Sequence, residues 1–371
     1  MTAPKTLLIN GEALLRIKES GSANPETLES IRKDADKLVT AKPISVTERK
    51  LTAPTGDKRD YASTGIYWWP NPDTENGLPY VRRDGEVNPE TCDPAHVDAL
   101  AGRLVKLALA AFFFGDERYK EAAREQIRVW YLDDKLGINP NGEFAQGIPG
   151  ICSGRGIGLI EFRRNIEVID AIEILYSVGA ICDEMLADLK AWFVKLTDWM
   201  ITSENGIDED NQHNNHGVWY DAQIMAMALF TGRENLAKRV ARTSYPLRQC
   251  KHVMDDGAQP HELARTRAMH YSLFNSMGLI TVGILAKRVG DNRYLDDPRL
   301  PLSYEFIKKH YENPAEFPYK EIHLDTVPGM LATVAFMLDG IYPEKKYASG
   351  IDASLREKMY YSILPFGVDA N

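Results

Sequence analysis

No stretch of eighteen consecutive apolar residues occurs in the 371-residue chain, so nothing in it reads as a transmembrane span. Cysteine is scarce as well. Cys92, Cys152, Cys182 and Cys250 are scattered without any Cys-x-x-Cys spacing, which argues against a zinc ribbon or a disulfide-dense scaffold and predicts buried thiols. Positive charge is not in excess: a net charge of −9 argues against a general nucleic-acid binder, because phosphate contacts need a basic surface. The arginines do cluster, as Arg155, Arg163 and Arg164, then Arg239, Arg242 and Arg248, then Arg265 and Arg267. Such clusters read first as solvated helix faces, with a local basic cleft for a polyanion as the alternative. The opening Met1-Thr-Ala-Pro-Lys5 lacks the apolar stretch of a secretory signal, which leaves the compartment open. No strong period-two alternation marks a strand, although short strands fit within the Pro-rich loops. What remains, 44% hydrophobic with 26% charged residues, is the composition of a globular protein with a sizeable core.

Along the chain, residues 1 to 24 show little pattern. The first helix is expected from Pro25 to Thr40, with Leu28, Ile31, Ala35 and Leu38 on one face. From Ala41 to Asp93 periodicity stops, and a segment rich in Pro, Gly, Thr and Asp carries Tyr67-Trp68-Trp69-Pro70-Asn71-Pro72. A stretch this long without periodicity reads as a functional loop or lid. Trp68 and Trp69 are either anchored in the core or form a platform for a sugar ring. After Pro94 the chain reads as helix after helix, with a weak internal repeat. Apolar helices end at Gly115, Gly232 and Gly290, each followed by residues suited to starting the next helix. Gly232 and Gly290 are 58 positions apart and Gly115 and Gly232 are 117 apart, so a missing copy is expected near Tyr176-Ser-Val-Gly179-Ala180. That period gives about six helical hairpins, stacked as a solenoid or closed into a toroid. Length alone admits two domains, but α/α barrels of this size exist as single units, and residues 1–371 are read as one all-α domain with long loops over a cleft.

Three polar clusters interrupt the apolar pattern. The loop Asn139 to Arg155 ends in Gly154-Arg-Gly156-Ile-Gly158, whose spacing does not match a nucleotide-binding Gly-x-Gly-x-x-Gly; it reads better as a tight loop presenting Gln146 and Arg155. Asn211-Gln-His213-Asn214-Asn215-His216 runs into an apolar helix through Val218, Trp219, Ala222, Met225 and Leu229. One cap needs one residue, Asn211 or Asn214; the surplus, Asn215 and His216 above all, marks a place that holds something polar or charged. The third cluster, Gln259-Pro-His261-Glu262-Leu-Ala-Arg265-Thr-Arg267-Ala-Met-His270-Tyr271, opens another long helix one repeat later, so both helix starts are expected at the same end.

Three chemistries can use these groups. A metal site would draw on His213, His216, His261 and Glu262, but His-Glu-x-x-His is missing and amides add nothing zinc wants, so neither metal nor cofactor is expected. Glycoside hydrolysis needs two carboxylates, for which Asp208, Glu209, Asp210 and Glu262 are candidates, the acidic run reading first as solvated surface. β-Elimination of a uronic acid needs donors that neutralise the sugar carboxylate and stabilise the enolate that develops as the C5 hydrogen leaves. Asn215, His216 and Arg265 are donors of that kind, and Tyr271 can serve as base, as acid to the departing O4, or as both.

Asn214-Asn215-His216-Gly-Val-Trp219-Tyr220 with Glu262-Leu-Ala-Arg265-Thr-Arg267-Ala-Met-His270-Tyr271 resembles the alginate lyase superfamily, in particular its polysaccharide lyase family 5 motifs. The Tyr-Trp-Trp-Pro-Asn-Pro block and the Ile148-Pro-Gly-Ile151-x-x-Gly154-Arg-Gly-Ile-Gly158 loop look closer to the family 38 branch. The resemblance covers roughly Asp60 to Leu279. It implies an α/α toroid that cleaves a 1,4-linked polyuronate, alginate or glucuronan, without a metal and leaves an unsaturated sugar. It also implies neutralising roles for Asn215 and His216, support from Arg265, and Tyr271 as catalytic acid and base. His216 is the alternative base for the opposite C5 epimer. In family 5 the first arginine precedes the tyrosine by seven positions, whereas Arg265 lies six before Tyr271, so Arg265 and Arg267 both stand as claimants. Trp68, Trp69, Gln146, Arg155, Arg267 and His270 are the expected substrate contacts. The expected partner is an acidic polysaccharide, not nucleic acid or membrane, and a polymeric substrate implies a periplasmic or secreted home. The alternatives are a glycoside hydrolase and a non-catalytic carbohydrate-binding toroid.

Overall fold

The structure is a computed structural model that describes residues 2–90 and 95–352. Its contacts divide the chain into two compact units, Ala35–Asn211 and Met1–Asp34 with Gln212–Asn371. Both are built from helices. Helix α1 (Gly11–Ser20), capped by Asn10 and stopped by Gly21, falls in the stretch expected to lack pattern. It inserts only Leu14 as a fully buried apolar side chain, too sparse a stripe to show as periodicity. Helix α2 (Pro25–Val39) follows as expected, with Ile31 and Ala35 wholly buried.

In the unit 35–211 the long loop holds the anticipated short strands: β1 (Ala62–Thr64), β2 (Trp68–Trp69) and β3 (Val81–Arg82). Strand β2 pairs antiparallel with β3, and β1 pairs in parallel with β4 (Phe144–Gly147), with an irregularity in register between Ala62 and Thr64. Five helices supply the bulk of this unit: α3 (Ala95–Phe114), α4 (Glu117–Ile127), α5 (Asn165–Ser177), α6 (Asp183–Thr202) and α7 (Glu204–Asp210). Helix α3 packs on α4 and α5, and a 3₁₀ turn over Gly156–Arg164 links the β4 loop to α5.

The second unit continues with α8 (Asn215–Phe230), α9 (Glu234–Leu247), α10 (Gln249–His252), α11 (Pro260–Leu263) and α12 (Ala268–Lys287), then α13 (Arg293–Asp296), α14 (Arg299–Glu312) and α15 (Val327–Ile341). Helices α8 and α12 are buried on nearly every side, which is why neither shows a one-sided apolar stripe. They pack against each other, closely at Gly278, where an added Cβ would lie 2.9 Å from Val218. By length and composition Ala268–Lys287 and Leu324–Ile341 are apolar enough to cross a membrane; 83% of the first segment's apolar window is buried inside the protein. The absence of a long unbroken apolar run had hidden both.

The repeat glycines behave as their spacing predicts. Gly115, Gly179, Gly232 and Gly290 all have φ between 68° and 84°, the left-handed backbone that lets a helix stop without a Cβ penalty. The cysteines do not. Cys182 is exposed and Cys152 and Cys250 are only half-buried, because each sits at a helix end or in a loop rather than on a core face; Cys92 lies outside the described residues. The acidic run differs too: Asp208 and Asp210 are exposed, but Glu209 is completely buried, since the inner face of α7 packs on the 3₁₀ turn.

Candidate active site

The first turn of α8 is fixed from both sides. Asn214 is the N-cap, its Oδ1 accepting from the His216 backbone N–H at 3.1 Å, while Asn211 instead closes α7 by donating from Nδ2 to the Ile207 carbonyl. Behind the turn, Arg248 donates from Nε to Asp221 Oδ2 at 2.8 Å and from Nη1 to the Gln212 carbonyl at 3.0 Å, with both charged groups buried. Asp221 Oδ2 also accepts from Ser244 at 2.7 Å. Gly217 is required here, because an added Cβ would lie 2.4 Å from the Gln212 carbonyl oxygen and 2.5 Å from Arg248 Nη1.

Asn215 is wholly buried. Its backbone N–H donates to Glu262 Oε1 at 2.6 Å and its side-chain Nδ2 to Glu262 Oε2 at 2.8 Å, while its carbonyl Oδ1 has no partner. Glu262, from α11, is 1% exposed. Burial raises its pKa, against the two bonds from Asn215 and the charges of His216 and Arg265. His216 stays half-exposed beside this pair. Past α11 the chain turns, and the Arg265 guanidinium lies over the Tyr271 ring, 3.9 Å from its centroid. Tyr271 is 8% exposed in the first turn of α12.

Arg267 is engaged elsewhere. It bridges to Glu321 through the backbone, and its Nη2 lies 3.2 Å from both Thr326 Oγ1 and His270 Nδ1. An arginine can only donate, so in this contact His270 Nδ1 is the acceptor. His270 also packs edge-on to Tyr271 and stacks on Phe274.

In the other unit Arg155 clamps Gln146, donating from Nε to its carbonyl at 2.9 Å and from Nη2 to its Oε1 at 3.0 Å. Gln146 has φ of 50°, a left-handed conformation unusual for a residue with a side chain. Its backbone N–H donates to Ser63 Oγ at 2.7 Å, and Ser63 donates to the buried Glu161, which also takes the Tyr61 hydroxyl. Burial lowers the Arg155 pKa, with Arg82 acting in the same sense and Glu161 and Glu209 opposing. The guanidinium sits 5.8 Å from the Trp68 ring centroid, and an added Cβ on Gly65 would strike both. Trp69 is directed otherwise: its indole N–H donates to the Glu86 carbonyl and Arg83 lies over its ring. Neighbours on a strand face opposite ways, so the tandem tryptophans are separated.

The family model for alginate lyase matches residues 45–317. The chain belongs to the alginate lyase family. An alginate lyase from Bacteroides ovatus is 32% identical over 96% of this chain and 97% of that chain, with a TM-score of 0.89. Alginate lyase A1-III from Sphingomonas species A1 is 15% identical, covering 95% of this chain and 93% of that one, at a TM-score of 0.59. A histidine-to-alanine variant of alginate lyase A1-III complexed with tetrasaccharide is 14% identical, covering 100% and 98%, at 0.65; these two likenesses show the fold alone. No curated protein matches the chain at a significant level. The fold class is all-α, the α/α toroid of these lyases, and the protein is an enzyme, a polysaccharide lyase. The match also extends beyond the Asp60 to Leu279 stretch that carries the sequence motifs.

Of the residues singled out in the lyase sequence, the structure gathers Asn215, His216, Arg265, Arg267, His270 and Tyr271 around the starts of α8 and α12, within one unit. Trp68, Gln146 and Arg155 meet in the other unit, without Trp69. Among the described residues no group of three or more His, Cys, Asp or Glu is placed to hold a metal ion, so His213, His216, His261 and Glu262 do not assemble as a ligand set. Glu262 was read from sequence only as a hydrolytic or metal-binding carboxylate. Its place beneath Asn215 is a contact across 47 positions of sequence, which no local pattern encodes.

Proposed function

We propose that this lyase cleaves a 1,4-linked polyuronate, alginate or glucuronan, by β-elimination at the starts of α8 and α12. The observation that carries the reading is the Arg265 guanidinium stacked 3.9 Å over Tyr271, in the same unit as the Asn215–His216 turn. In the proposed reaction the sugar carboxylate is received by Asn215 and His216 at the N-terminal end of α8, where the helix dipole also favours an anion. With that charge neutralised, electron density from the breaking C5–H bond moves toward the carboxylate, and Tyr271 takes the proton; His216 takes it for the epimer of opposite C5 configuration. The double bond then forms between C4 and C5 as the C4–O4 bond breaks, and Tyr271 returns a proton to the departing O4. A cation on the face of the ring favours the phenolate needed for the first step. Arg265 is assigned this role, and Arg267, tied to His270, Thr326 and the Glu321 strand bridge, the role of holding the turn.

Trp68, Gln146 and Arg155 are proposed to bind sugar units through an aromatic face and a fixed guanidinium, with His270 as a further contact in its own unit. That alginate lyase A1-III is complexed with a tetrasaccharide supports an oligosaccharide as the ligand class. A periplasmic or secreted location is proposed from the polymeric substrate. The test is incubation with alginate, glucuronan and polygalacturonate while following ultraviolet absorbance. Elimination creates a conjugated double bond and hence rising absorbance; reducing ends without absorbance would indicate hydrolysis, and binding without cleavage a non-catalytic module.

A further inference from the structure

Glu262 is a buried carboxylate that the elimination scheme leaves without a task. Both its oxygens are spent on one residue, Oε1 on the Asn215 backbone N–H at 2.6 Å and Oε2 on the Asn215 side chain at 2.8 Å. An ionised carboxylate can only accept, so it draws the amide nitrogen toward itself and leaves the Asn215 carbonyl oxygen as the end without a partner. That Oδ1 is buried and unpartnered, an arrangement native proteins rarely leave without a purpose. A carbonyl in that position repels a sugar carboxylate. The scheme needs a donor there.

Turning the amide over supplies one. Nitrogen then takes the place of the orphan oxygen, and the carbonyl faces Glu262 Oε2, a contact between two acceptors unless a proton lies between them. A Glu262 protonated on Oε2 donates to the Asn215 carbonyl, while Oε1 keeps the backbone N–H. We infer that Glu262 is a positioning residue that works in its protonated form, holding the Asn215 amide with its N–H groups toward the substrate carboxylate. Burial favours that form. The groups facing Glu262 are His216 from α8 and Arg265 from the α11–α12 turn, which favour the ionised form, while His252 of α10 packs on the adjacent His261. The sugar carboxylate shifts the balance back, since it brings a negative charge to the same place.

The inference rests on the elimination reading and is tested with Glu262→Gln and Glu262→Leu in the full chain, by initial rates of unsaturated product across a pH series. Gln mimics the protonated acid: its Nε2 donates to the turned Asn215 carbonyl and its Oε1 accepts the backbone N–H. Glu262→Gln is expected to keep kcat within roughly threefold of wild type at the acid end and to extend activity further toward alkaline pH, because it has no proton to lose. Glu262→Leu, which leaves the Asn215 groups without partners, is expected to lose at least about tenfold in kcat, with thermal melting reporting whether it folds. An alkaline limb that is the same in wild type and Glu262→Gln, or a Gln variant as inactive as the Leu variant, overturns the role of Glu262 alone. Wild-type protein that yields no unsaturated product from any polyuronate overturns the elimination reading, and this role with it.

Discussion

Replacing Gly217 by alanine tests whether the first turn of α8 is held as described. The new methyl would lie 2.4 Å from the Gln212 carbonyl oxygen and 2.5 Å from Arg248 Nη1, well inside any real contact. The backbone before α8 has to move, because displacing Arg248 from Asp221 alone leaves the clash with the Gln212 oxygen. Overpacking of this kind costs about 1–3 kcal/mol, and breaking a buried ion pair costs about 3–5 kcal/mol. Alanine returns about 0.5–1 kcal/mol as the better helix former. The cheaper relaxation wins, for a net loss of up to about 2.5 kcal/mol, equivalent to a fall in Tm of up to roughly 3 °C for a chain of this size. Gly102→Ala and Gly329→Ala are the controls, because both glycines sit within helices with nothing inside 4 Å of an added Cβ. They should leave Tm unchanged or raise it. Because the displaced backbone leads directly into Asn215 and His216, turnover of Gly217→Ala should fall as well. A Gly217→Ala protein that melts at or above the wild-type temperature would refute the packing argument.

Tyr271→Phe removes one hydroxyl and should lower kcat by about 10²–10⁴-fold with oligosaccharide affinity within a few-fold of wild type; calorimetry alongside rate measurements checks both, and retained turnover clears Tyr271. His252, buried beside Arg248, His261, His213 and Lys251, has its pKa pushed down from 6.5 to about 3, chiefly by burial. Its neutral form is therefore the folded one: stability is full above pH 6.5 and lost as pH falls toward 3, by up to about 1.4 kcal/mol per pH unit. Denaturant titrations of His252→Gln should show a flatter acid slope than wild type, and an identical slope would count against the assignment. Treatment with a chelator should leave the elimination rate unchanged, since Asn, His and Arg donors are assigned the neutralising task; a rate lost to chelator and restored by a divalent ion would contradict that assignment.

What the sequence disclosed was whatever depends on local stereochemistry. The four repeat glycines could be read because only glycine enters the left-handed backbone without penalty, and each does so. The polar starts of α8 and α12 could be read because amide, imidazole and guanidinium groups cluster there at the head of largely apolar helices. Burial decided by tertiary contacts was not legible. Glu209 reads as part of an acidic surface run yet lies in the core, and Cys182 reads as a core thiol yet is exposed. Arg265 and Arg267 are indistinguishable by spacing; they part because Thr326 and His270 engage the Arg267 guanidinium while that of Arg265 lies on the Tyr271 ring.

Trp68 and Trp69, two of the six tryptophans, diverge into unequal surroundings. Trp69 is hydrogen-bonded to Glu86 and covered by Arg83, whereas Trp68 borders the Arg155–Gln146 clamp. A saccharide that engages Arg155 would change the emission of Trp68 and leave that of Trp69 nearly constant. Because four other tryptophans also emit, the reporter is the comparison: a saccharide-induced change that Trp68→Phe removes and Trp69→Phe keeps reads occupancy in that unit without turnover.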